Sequence, residues 1–182
     1  GYELSDFSKA GHGPLDLRRS IIESCNTNFA RMALELGDSK VLNISSRYYM
    51  GRAINSDMPL KQSRIPRENE IIPTELGAMG IGQGRLLMTP MHMALVASTI
   101  ANDGVWVDPY IVKEVQNPNG RVIERGSGEE HRVVSHEIAS QLKEMLVEVV
   151  NVGTGKNARI QGVRVGGKTG TAQTATGENH AI

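Results

Sequence analysis

The chain has 182 residues, of which 39% are hydrophobic and 22% are charged, enough for one domain with a buried core. Lys and Arg together number 20 and so do Asp and Glu, giving a formal net charge of zero, whereas a general nucleic-acid-binding protein carries a basic excess. No apolar run is long enough to span a membrane, and a single cysteine, Cys25, excludes an internal disulfide framework.

The N-terminal part of the chain predicts two helices separated by a tight turn. Asp16 is the candidate N-cap of the first helix, because a short acceptor side chain pairs with a free N–H of the first turn. Asn26 or Thr27 is the candidate cap of the second helix, which ends at Gly37. The break between the two helices falls on residues 24–26, Ser-Cys-Asn.

The middle of the chain is less regular. A further helix is expected over 40–50, and residues 52–80 then lack a clear period and contain three prolines, which push the preceding residues out of the α region. Such a run inside a domain is a functional flap or a disordered segment. Thr89 followed by Pro90 is a strong helix start, as N-cap and first helical position, for an apolar run to Ile100.

The C-terminal half predicts strands followed by one long helix. Residues 105–115 alternate like a strand, and 121–124 return as the second arm of a hairpin. Ser135 caps the last long helix, whose apolar stripe extends to Val150. These elements predict an α/β fold of the α+β type, rich in helix and with a few antiparallel strands.

A basic, glycine-rich segment lies near the end of the chain. No acidic residue occurs between Glu148 and Glu178, although four basic residues do. Residues 162–169 match the P-loop pattern G-x-x-x-x-G-K-[ST] letter for letter. A P-loop must open a helix so that amide groups meet the phosphates, but the residues after Lys168 have no apolar period. A P-loop NTPase fragment is therefore one alternative.

Two other triplets indicate acyl transfer instead. Residues 168–170 read K-T-G and residues 24–26 read S-x-N, and this pair occurs in penicillin-binding proteins and serine β-lactamases. With the segment Gly-Ile-Gly-Gln-Gly at 80–84, the Thr-Pro helix start and the run around 166–173, the chain resembles the transpeptidase domain of class B penicillin-binding proteins over nearly its whole length.

The resemblance implies roles for particular residues. Ser24 relays a proton close to the catalytic serine, and Asn26 hydrogen-bonds the acyl-donor peptide and the catalytic lysine. Lys168 aligns Ser24 and attracts the substrate, while the hydroxyls of Thr169 and Thr171 receive the terminal carboxylate of the substrate. The backbone N–H of Thr171 forms half of the oxyanion hole. The expected site therefore comprises catalytic Ser24, Asn26 and Lys168 with substrate-binding Thr169, Gly170 and Thr171.

The resemblance is incomplete at the S-x-x-K motif, which carries the nucleophilic serine of the family and precedes S-x-N. The S-x-x-K of this chain, Ser140 to Lys143, lies after S-x-N and mid-helix, and is interpreted as a chance match. We therefore expect residues 1–182 to form a single incomplete transpeptidase domain, truncated at both ends. Alone, it is expected to form no covalent adduct with a β-lactam.

The protein to which such a domain belongs is expected to be a serine-type D,D-transpeptidase. By resemblance it would cross-link peptidoglycan stem peptides through an acyl-enzyme, be acylated by β-lactam antibiotics, and act in cell-wall synthesis and cell division with cell-wall synthesis partners. Its place would be the extracytoplasmic face of the bacterial membrane, with an anchor outside this chain. No nucleic-acid partner is expected, and a non-catalytic penicillin-binding-like interaction module is the second alternative.

No metal and no cofactor are expected. The histidines form no recognisable constellation in the sequence and are interpreted as surface or hydrogen-bonded residues, and Cys25 as a small buried or turn residue. The five histidines are His12, His92, His131, His136 and His180.

Two spatial predictions separate the hypotheses. Ser24, Asn26 and Lys168 should meet in space, with Ser24 and Lys168 within hydrogen-bonding reach. Residues 165–173 should be extended, with Thr169 and Thr171 pointing to the same side, whereas the P-loop alternative requires a helix that starts near Lys168.

Overall fold

A computed structural model describes residues 4–6, 11–173 and 179–181. The helices are α1 (Leu17–Glu23), α2 (Asn26–Leu36), α3 (Asp38–Arg47), α4 (Pro73–Gly80), α5 (Pro90–Ala101) and α6 (His136–Asn151). The strands are β1 (Val105–Val107), β2 (Glu114–Gln116), β3 (Val122–Arg125), β4 (Glu130–Arg132), β5 (Thr171–Gln173) and β6 (Asn179–Ala181). Single 3₁₀ turns cover Glu68–Glu70 and Lys156–Ala158.

Three helices begin at the caps that the sequence predicts. The side chain of Asp16 accepts the N–H of Arg19 at the start of α1. Thr89 likewise caps α5, and Ser135 caps α6. These bonds join residues three positions apart, so the local sequence is sufficient to specify them.

The predicted cap of α2 is wrong. Cys25 occupies the N-cap position without a side-chain capping bond, and Asn26 is already helical. The free N–H of Thr27 is instead satisfied by the carboxylate of Asp6, 21 residues earlier, at 3.2 Å. A distant acceptor therefore replaces the local cap, which the sequence around Asn26 does not reveal.

The segment 52–80 contains a helix that the sequence analysis missed. Helix α4 has Pro73 at its first position and packs on α2. A Cβ on Gly80 would lie only 2.7 Å from the Cβ of Ala33 and from the carbonyl oxygen of Phe29, so the two helices approach closely through small residues. Glycine weakens the helical signal of the sequence, while tertiary packing stabilises the helix. The helix predicted over 40–50 is α3.

The predicted strand over 105–115 is two strands. β1 pairs with β4, so that Trp106 lies opposite His131, and β2 pairs with β3 as the predicted hairpin. Between them the N–H groups of Ile111 and Val112 bond the carboxylate of Asp57 rather than a neighbouring strand. The three sheets formed by the described residues are two-stranded and antiparallel, which confirms a helix-rich fold with a few antiparallel strands.

In the part of the chain that the structure describes, the core has two hydrophobic clusters. One surrounds Trp106 and comprises Tyr48, Leu95, Trp106 and Val133. The other lies between α1 and α6 and comprises Ile21, Met145 and Val149, with Phe29 and Leu142 packed against it. The second cluster brings the C-terminal ends of α1 and α6 together, which positions the residues described next. Among the described residues, no helix is both long enough and apolar enough to cross a bilayer.

Candidate active site

The turn between α1 and α2 fixes the backbone of Ser24 and so positions its side chain. Ser24 has φ 56° and ψ 48°, the left-handed conformation, and its N–H donates to the carbonyl of Ile21. Cys25 then donates its N–H to the carbonyl of Ser20 at 3.0 Å. A non-glycine residue in this conformation costs about 1–3 kcal/mol, and such strain concentrates at functional sites. The break predicted at residues 24–26 is confirmed.

The loop that follows α6 clamps the end of α1. A Cβ on Gly153 would lie 2.5 Å from the carbonyl oxygen of Ile22, so only glycine allows this approach. The N–H of Thr154 donates to the same carbonyl, and the N–H of Gly155 donates to the carbonyl of Val149. The loop and the turn that carries Ser24 are thereby held together.

Lys168 reaches Ser24 from the far end of the chain. Residues 164–170 belong to no helix or strand and pass α6, where the N–H of Gly167 donates to the carbonyl of Leu146 at 3.1 Å. The ammonium of Lys168 donates to Ser24 Oγ at 2.6 Å and to the carbonyl of Thr169 at 3.0 Å. The predicted contact between Ser24 and Lys168, 144 residues apart, is confirmed.

The ammonium of Lys168 is partly removed from water and, among the described residues, is not paired with an acidic side chain. More than a third of the residue is exposed, yet its surroundings exclude enough water that desolvation lowers the pKa of its ammonium. Among the described residues, no ion pair involves Lys168, whereas Arg164 pairs with Glu144. Its charge is thus free to meet an anionic ligand.

Thr169 has a partner that the sequence analysis did not single out. Its Oγ1 lies 2.8 Å from the Oγ1 of Thr154. When two hydroxyls share one hydrogen bond, one hydroxyl hydrogen is left over, so this exposed pair keeps one donor available for a ligand. The Gly-Thr-Gly run at 153–155 was the available signal, since glycines flanking a hydroxyl indicate close backbone approach.

The other predicted site residues are only partly placed. Asn26 is the first residue of α2 and is half-buried, and among the described residues its side chain makes no hydrogen bond. Gly170 directly precedes β5, and Thr171 is its first residue. The side chain of Thr171 lies outside what the structure describes, so the shared orientation of Thr169 and Thr171 stays a prediction.

The P-loop geometry is absent from residues 162–173. Irregular chain at residues 169–170 and then strand β5 follow Lys168, where a P-loop requires a helix. Lys143 of the chance S-x-x-K pairs with Asp103. The described residues 162–173 therefore lack the geometry of a nucleotide site, and the lysine of the S-x-x-K at 140–143 is already paired with an acid.

A separate group of side chains could hold a metal ion. Asp6, His12 and Cys25 lie together beside the N-terminus of α2, and in the described part of the chain they form the one group of three such residues. The prediction that His12 belongs to no metal constellation therefore needs revision, because the sequence separates these residues too widely to indicate a cluster.

A family model described as the penicillin binding protein transpeptidase domain matches residues 2–181 of the chain. Peptidoglycan D,D-transpeptidase PbpA of Mycolicibacterium smegmatis is 32% identical over 177 residues, which are 95% of this chain and 36% of that protein. Stage V sporulation protein D of Bacillus subtilis is also 32% identical over 177 residues, 95% of this chain and 27% of that protein. The chain thus spans about a third of these relatives or less.

Solved structures agree with the sequence comparison. The D,D-transpeptidase domain of a peptidoglycan glycosyltransferase from Eggerthella lenta superposes with a TM-score of 0.88 at 30% identity, covering 98% of this chain and 46% of that one. The imipenem acyl-enzyme complex of penicillin-binding protein A from M. tuberculosis superposes with a TM-score of 0.81 at 29% identity, covering 96% and 40% respectively.

Proposed function

The chain belongs to the penicillin-binding protein transpeptidase family, and from that premise we propose that it is part of a serine-type D,D-transpeptidase. The reaction is cross-linking of peptidoglycan stem peptides through a serine acyl-enzyme, and β-lactams acylate the same serine. The hydrogen bond of 2.6 Å between Lys168 Nζ and Ser24 Oγ carries the proposal, because it joins two family motifs from opposite ends of the chain.

Ser24 acts as the proton relay. An ammonium has three donors and no acceptor, so Ser24 Oγ accepts from Lys168 and keeps its own hydrogen to donate. That hydrogen can pass to the leaving amine while a proton returns along the same bond, which is general acid–base work. Desolvation favours the neutral amine of Lys168 and so makes the transfer of a proton from its ammonium easier.

Lys168 and Thr169 receive the carboxylate at the end of the donor peptide. Two donors of the ammonium are used by Ser24 and by the carbonyl of Thr169, which leaves the third for an anionic ligand. The Thr154–Thr169 hydroxyl pair supplies a second donor. A carboxylate that accepts from an ammonium and from a hydroxyl forms charge-assisted bonds, which are about twice as strong as neutral ones.

The nucleophile and the rest of the active site are proposed to lie elsewhere in the protein. Residues 1–182 form a single incomplete transpeptidase domain, and the family's S-x-x-K belongs to a segment that precedes S-x-N. Asn26, Gly170 and Thr171 complete the peptide site, with the N–H of Thr171 in the oxyanion hole. β-Lactam acyl-enzymes are described for the similar penicillin-binding protein A, which supports the same chemistry here.

The cellular setting follows from the substrate. Peptidoglycan stem peptides are outside the bacterial membrane, so the protein acts at the extracytoplasmic face and is held there by an anchor outside these residues. Its partners are proteins of cell-wall synthesis, in a process such as cell division. The relatives named as peptidoglycan D,D-transpeptidases support this setting.

Acylation by a labelled penicillin, read by intact mass, tests the proposal on the full-length gene product. Lys168→Met should slow acylation by about 10²–10⁴-fold, the usual contribution of a positioned proton-transfer group. Lys156→Met is the matched control, because Lys156 is an exposed lysine of the same basic segment, and should acylate at the wild-type rate. The chain of residues 1–182 alone should give no adduct.

Three results contradict the proposal. The first is a full-length protein without any adduct, which favours the non-catalytic module. The second is equal rates for Lys168→Met and wild type. The third is an adduct that maps to Ser140, which reverses the motif order.

A further inference from the structure

The two helices that flank Ser24 are tied together by a side-chain hydrogen bond. Only residues 24 and 25 separate α1 from α2. Ser20 lies about one helical turn before Ser24 and Asn28 about one turn after it, and Asn28 Nδ2 donates to Ser20 Oγ across the turn. Neither residue is part of the S-x-N or the K-T-G triplet, so the bond is a feature that the two motifs do not account for.

The directions of the hydrogen bonds in this network are fixed by the donors available. Arg31 Nη2 donates to Asn28 Oδ1 at 2.9 Å, and a guanidinium can only donate. The amide oxygen of Asn28 therefore faces Arg31, and its NH₂ group faces Ser20. Ser20 Oγ accepts from that NH₂ group and donates its own hydrogen to the carbonyl of Asp16 at 2.7 Å. The bonds thus run in one direction, from α2 to the start of α1.

Ser20 is the buried centre of the network. The residue has no exposed surface. Besides the two bonds of its hydroxyl, its N–H donates to the carbonyl of Asp16 at 2.9 Å, and its carbonyl accepts the N–H of Cys25 at 3.0 Å. A buried polar group that loses its partner costs the desolvation of that group. Because every polar group of Ser20 is paired in this one arrangement, the network favours one angle between α1 and α2.

The turn needs this support because the backbone of Ser24 is strained. A left-handed serine persists only where the surrounding structure holds it. The bond from Cys25 to Ser20 closes the turn through the backbone, and the bond from Asn28 closes it through side chains in the first turn of α2. A change in the angle between the helices would displace Ser24 Oγ from Lys168 Nζ, which now lies 2.6 Å away.

We propose that Asn28 is a positioning residue for acyl transfer. It acts through Ser20 on the angle between α1 and α2, and thereby keeps the hydroxyl of Ser24 where it accepts from Lys168. The amide of Asn28 is itself bonded to Ser20 and Arg31 rather than to a reacting group. The inference rests on the proposed function, because it takes Ser24 to be the proton relay.

Acylation of the full-length gene product by a labelled penicillin measures the effect. Asn28→Leu removes both amide bonds at similar side-chain volume, whereas Asn28→Asp keeps the shape and the bond to Arg31 but cannot donate to Ser20. Each should lower the second-order rate by about 10–100-fold, since a misplacement of about 1 Å can cost about 100-fold. Ser20→Ala, which removes the hydroxyl partner, should do the same. The matched control is Asn43→Leu, at an exposed asparagine of α3, and should acylate as wild type does.

The Ser24→Ala background separates positioning from general support of the fold. Ser24→Ala alone should slow acylation by about 10²–10⁴-fold through loss of the relay. Because Asn28 acts through Ser24, adding Asn28→Leu to Ser24→Ala should slow acylation no further, as expected for two residues that act through one interaction. A residue that merely stabilises the fold would slow acylation by the same factor in both backgrounds.

The outcomes distinguish this inference from the proposed function. Wild-type rates for Asn28→Leu and Asn28→Asp, together with a slow Ser24→Ala, overturn the positioning role alone. Equal slowing by Asn28→Leu with and without the Ser24 hydroxyl also overturns it and leaves Asn28 a structural role. Wild-type acylation of Ser24→Ala overturns the proton relay, and the positioning role with it.

Discussion

Trp106 has no exposed surface, and its Nε1–H donates to Asp108, two residues further along the chain, at 2.9 Å. Nearby, both ring nitrogens of buried His92 are paired, with Ser63 and with the carbonyl of Tyr48. Around Lys168, by contrast, the side chain is more than a third exposed and its main partner, Ser24, is in a left-handed conformation. The first region has its polar groups satisfied internally, whereas the second keeps donors available.

The two regions are therefore maintained by different forces. The Trp106 cluster is stabilised by burial of its own side chains, which scales with apolar area. The Ser24–Lys168 junction contributes little burial of its own and is positioned from beneath by the α1–α6 cluster and by the Gly153 loop. Stability should then respond mainly to changes in the first region, and activity mainly to changes in the second.

Truncation of Trp106 should have the largest effect. Trp106→Ala should lower the free energy of unfolding by about 3–5 kcal/mol, as for other large buried aromatics, measured by denaturant titration. Lys168→Met, which abolishes the contact with Ser24, should change it by less than about 0.5 kcal/mol, as for surface substitutions. Equal losses of unfolding free energy in the two variants would contradict the proposed difference between the two regions.

Gly153→Ala should lower both stability and activity, because it disturbs the loop that packs against the end of α1 and supports the site. The added Cβ lies 2.5 Å from the carbonyl oxygen of Ile22, and overpacking of this kind costs about 1–3 kcal/mol. Acylation should slow as well, since the displaced end of α1 carries Ser24. Gly167→Ala is the control, with its Cβ in ordinary contact at 3.6 Å; a Gly153→Ala protein as stable as that control contradicts the clamp.

Thr154→Val should slow acylation while lowering stability only slightly. Loss of the hydroxyl partner of Thr169 removes a donor from the carboxylate site, and one neutral hydrogen bond is worth about 0.5–1.5 kcal/mol, so the second-order rate of acylation should fall by up to about tenfold. The unfolding free energy should likewise fall by no more than about 0.5–1.5 kcal/mol, because a single exposed bond is lost. Thr154→Ser restores the hydroxyl and should restore the rate; a Ser variant as slow as Val means that the methyl group, not the hydroxyl, matters.

Asp57→Asn should give the smallest effect on stability, and the loss of stability should be present only above acidic pH. Asp57 binds the backbone between β1 and β2, in the region of Trp106. The N–H groups of Val112 and Ile111 lower the pKa of the Asp57 carboxyl. A depressed folded pKa gives stability that is fully present above the unfolded pKa of about 3.9 and is lost as the pH falls through the folded pKa. The difference in Tm between wild type and Asp57→Asn should therefore shrink on acidification; a constant difference would exclude the linkage.

Part of the fold could be predicted because its determinants are local. Asp16, Thr89 and Ser135 cap helices by bonds to a residue three positions away. Strands β2 and β3 are joined by a short turn that contains Asn-Gly at 119–120. The contact between Ser24 and Lys168 was predicted on different grounds, from the resemblance of two triplets to a family that uses them together.

The remaining features depended on residues that meet only in the folded chain. Helix α4 persists with two glycines because they pack against α2, and the strand predicted over 105–115 is interrupted where Asp57 binds its backbone. Helix α2 and Asp57 are both distant in sequence from the segments that they contact, so local propensities do not predict these contacts.

The amino-acid sequence by itself determined the caps of α1, α5 and α6, the mixed helix and antiparallel-strand class, and the identity of the two triplets, because each rests on side chains acting within a few residues. Tertiary structure alone decided that Asp6 caps α2 and meets His12 and Cys25, and that Thr154 bonds Thr169. The physical reason is that hydrogen bonds and ligand sets act over about 3 Å in space, whereas the packing that brings distant segments so close has no local signature.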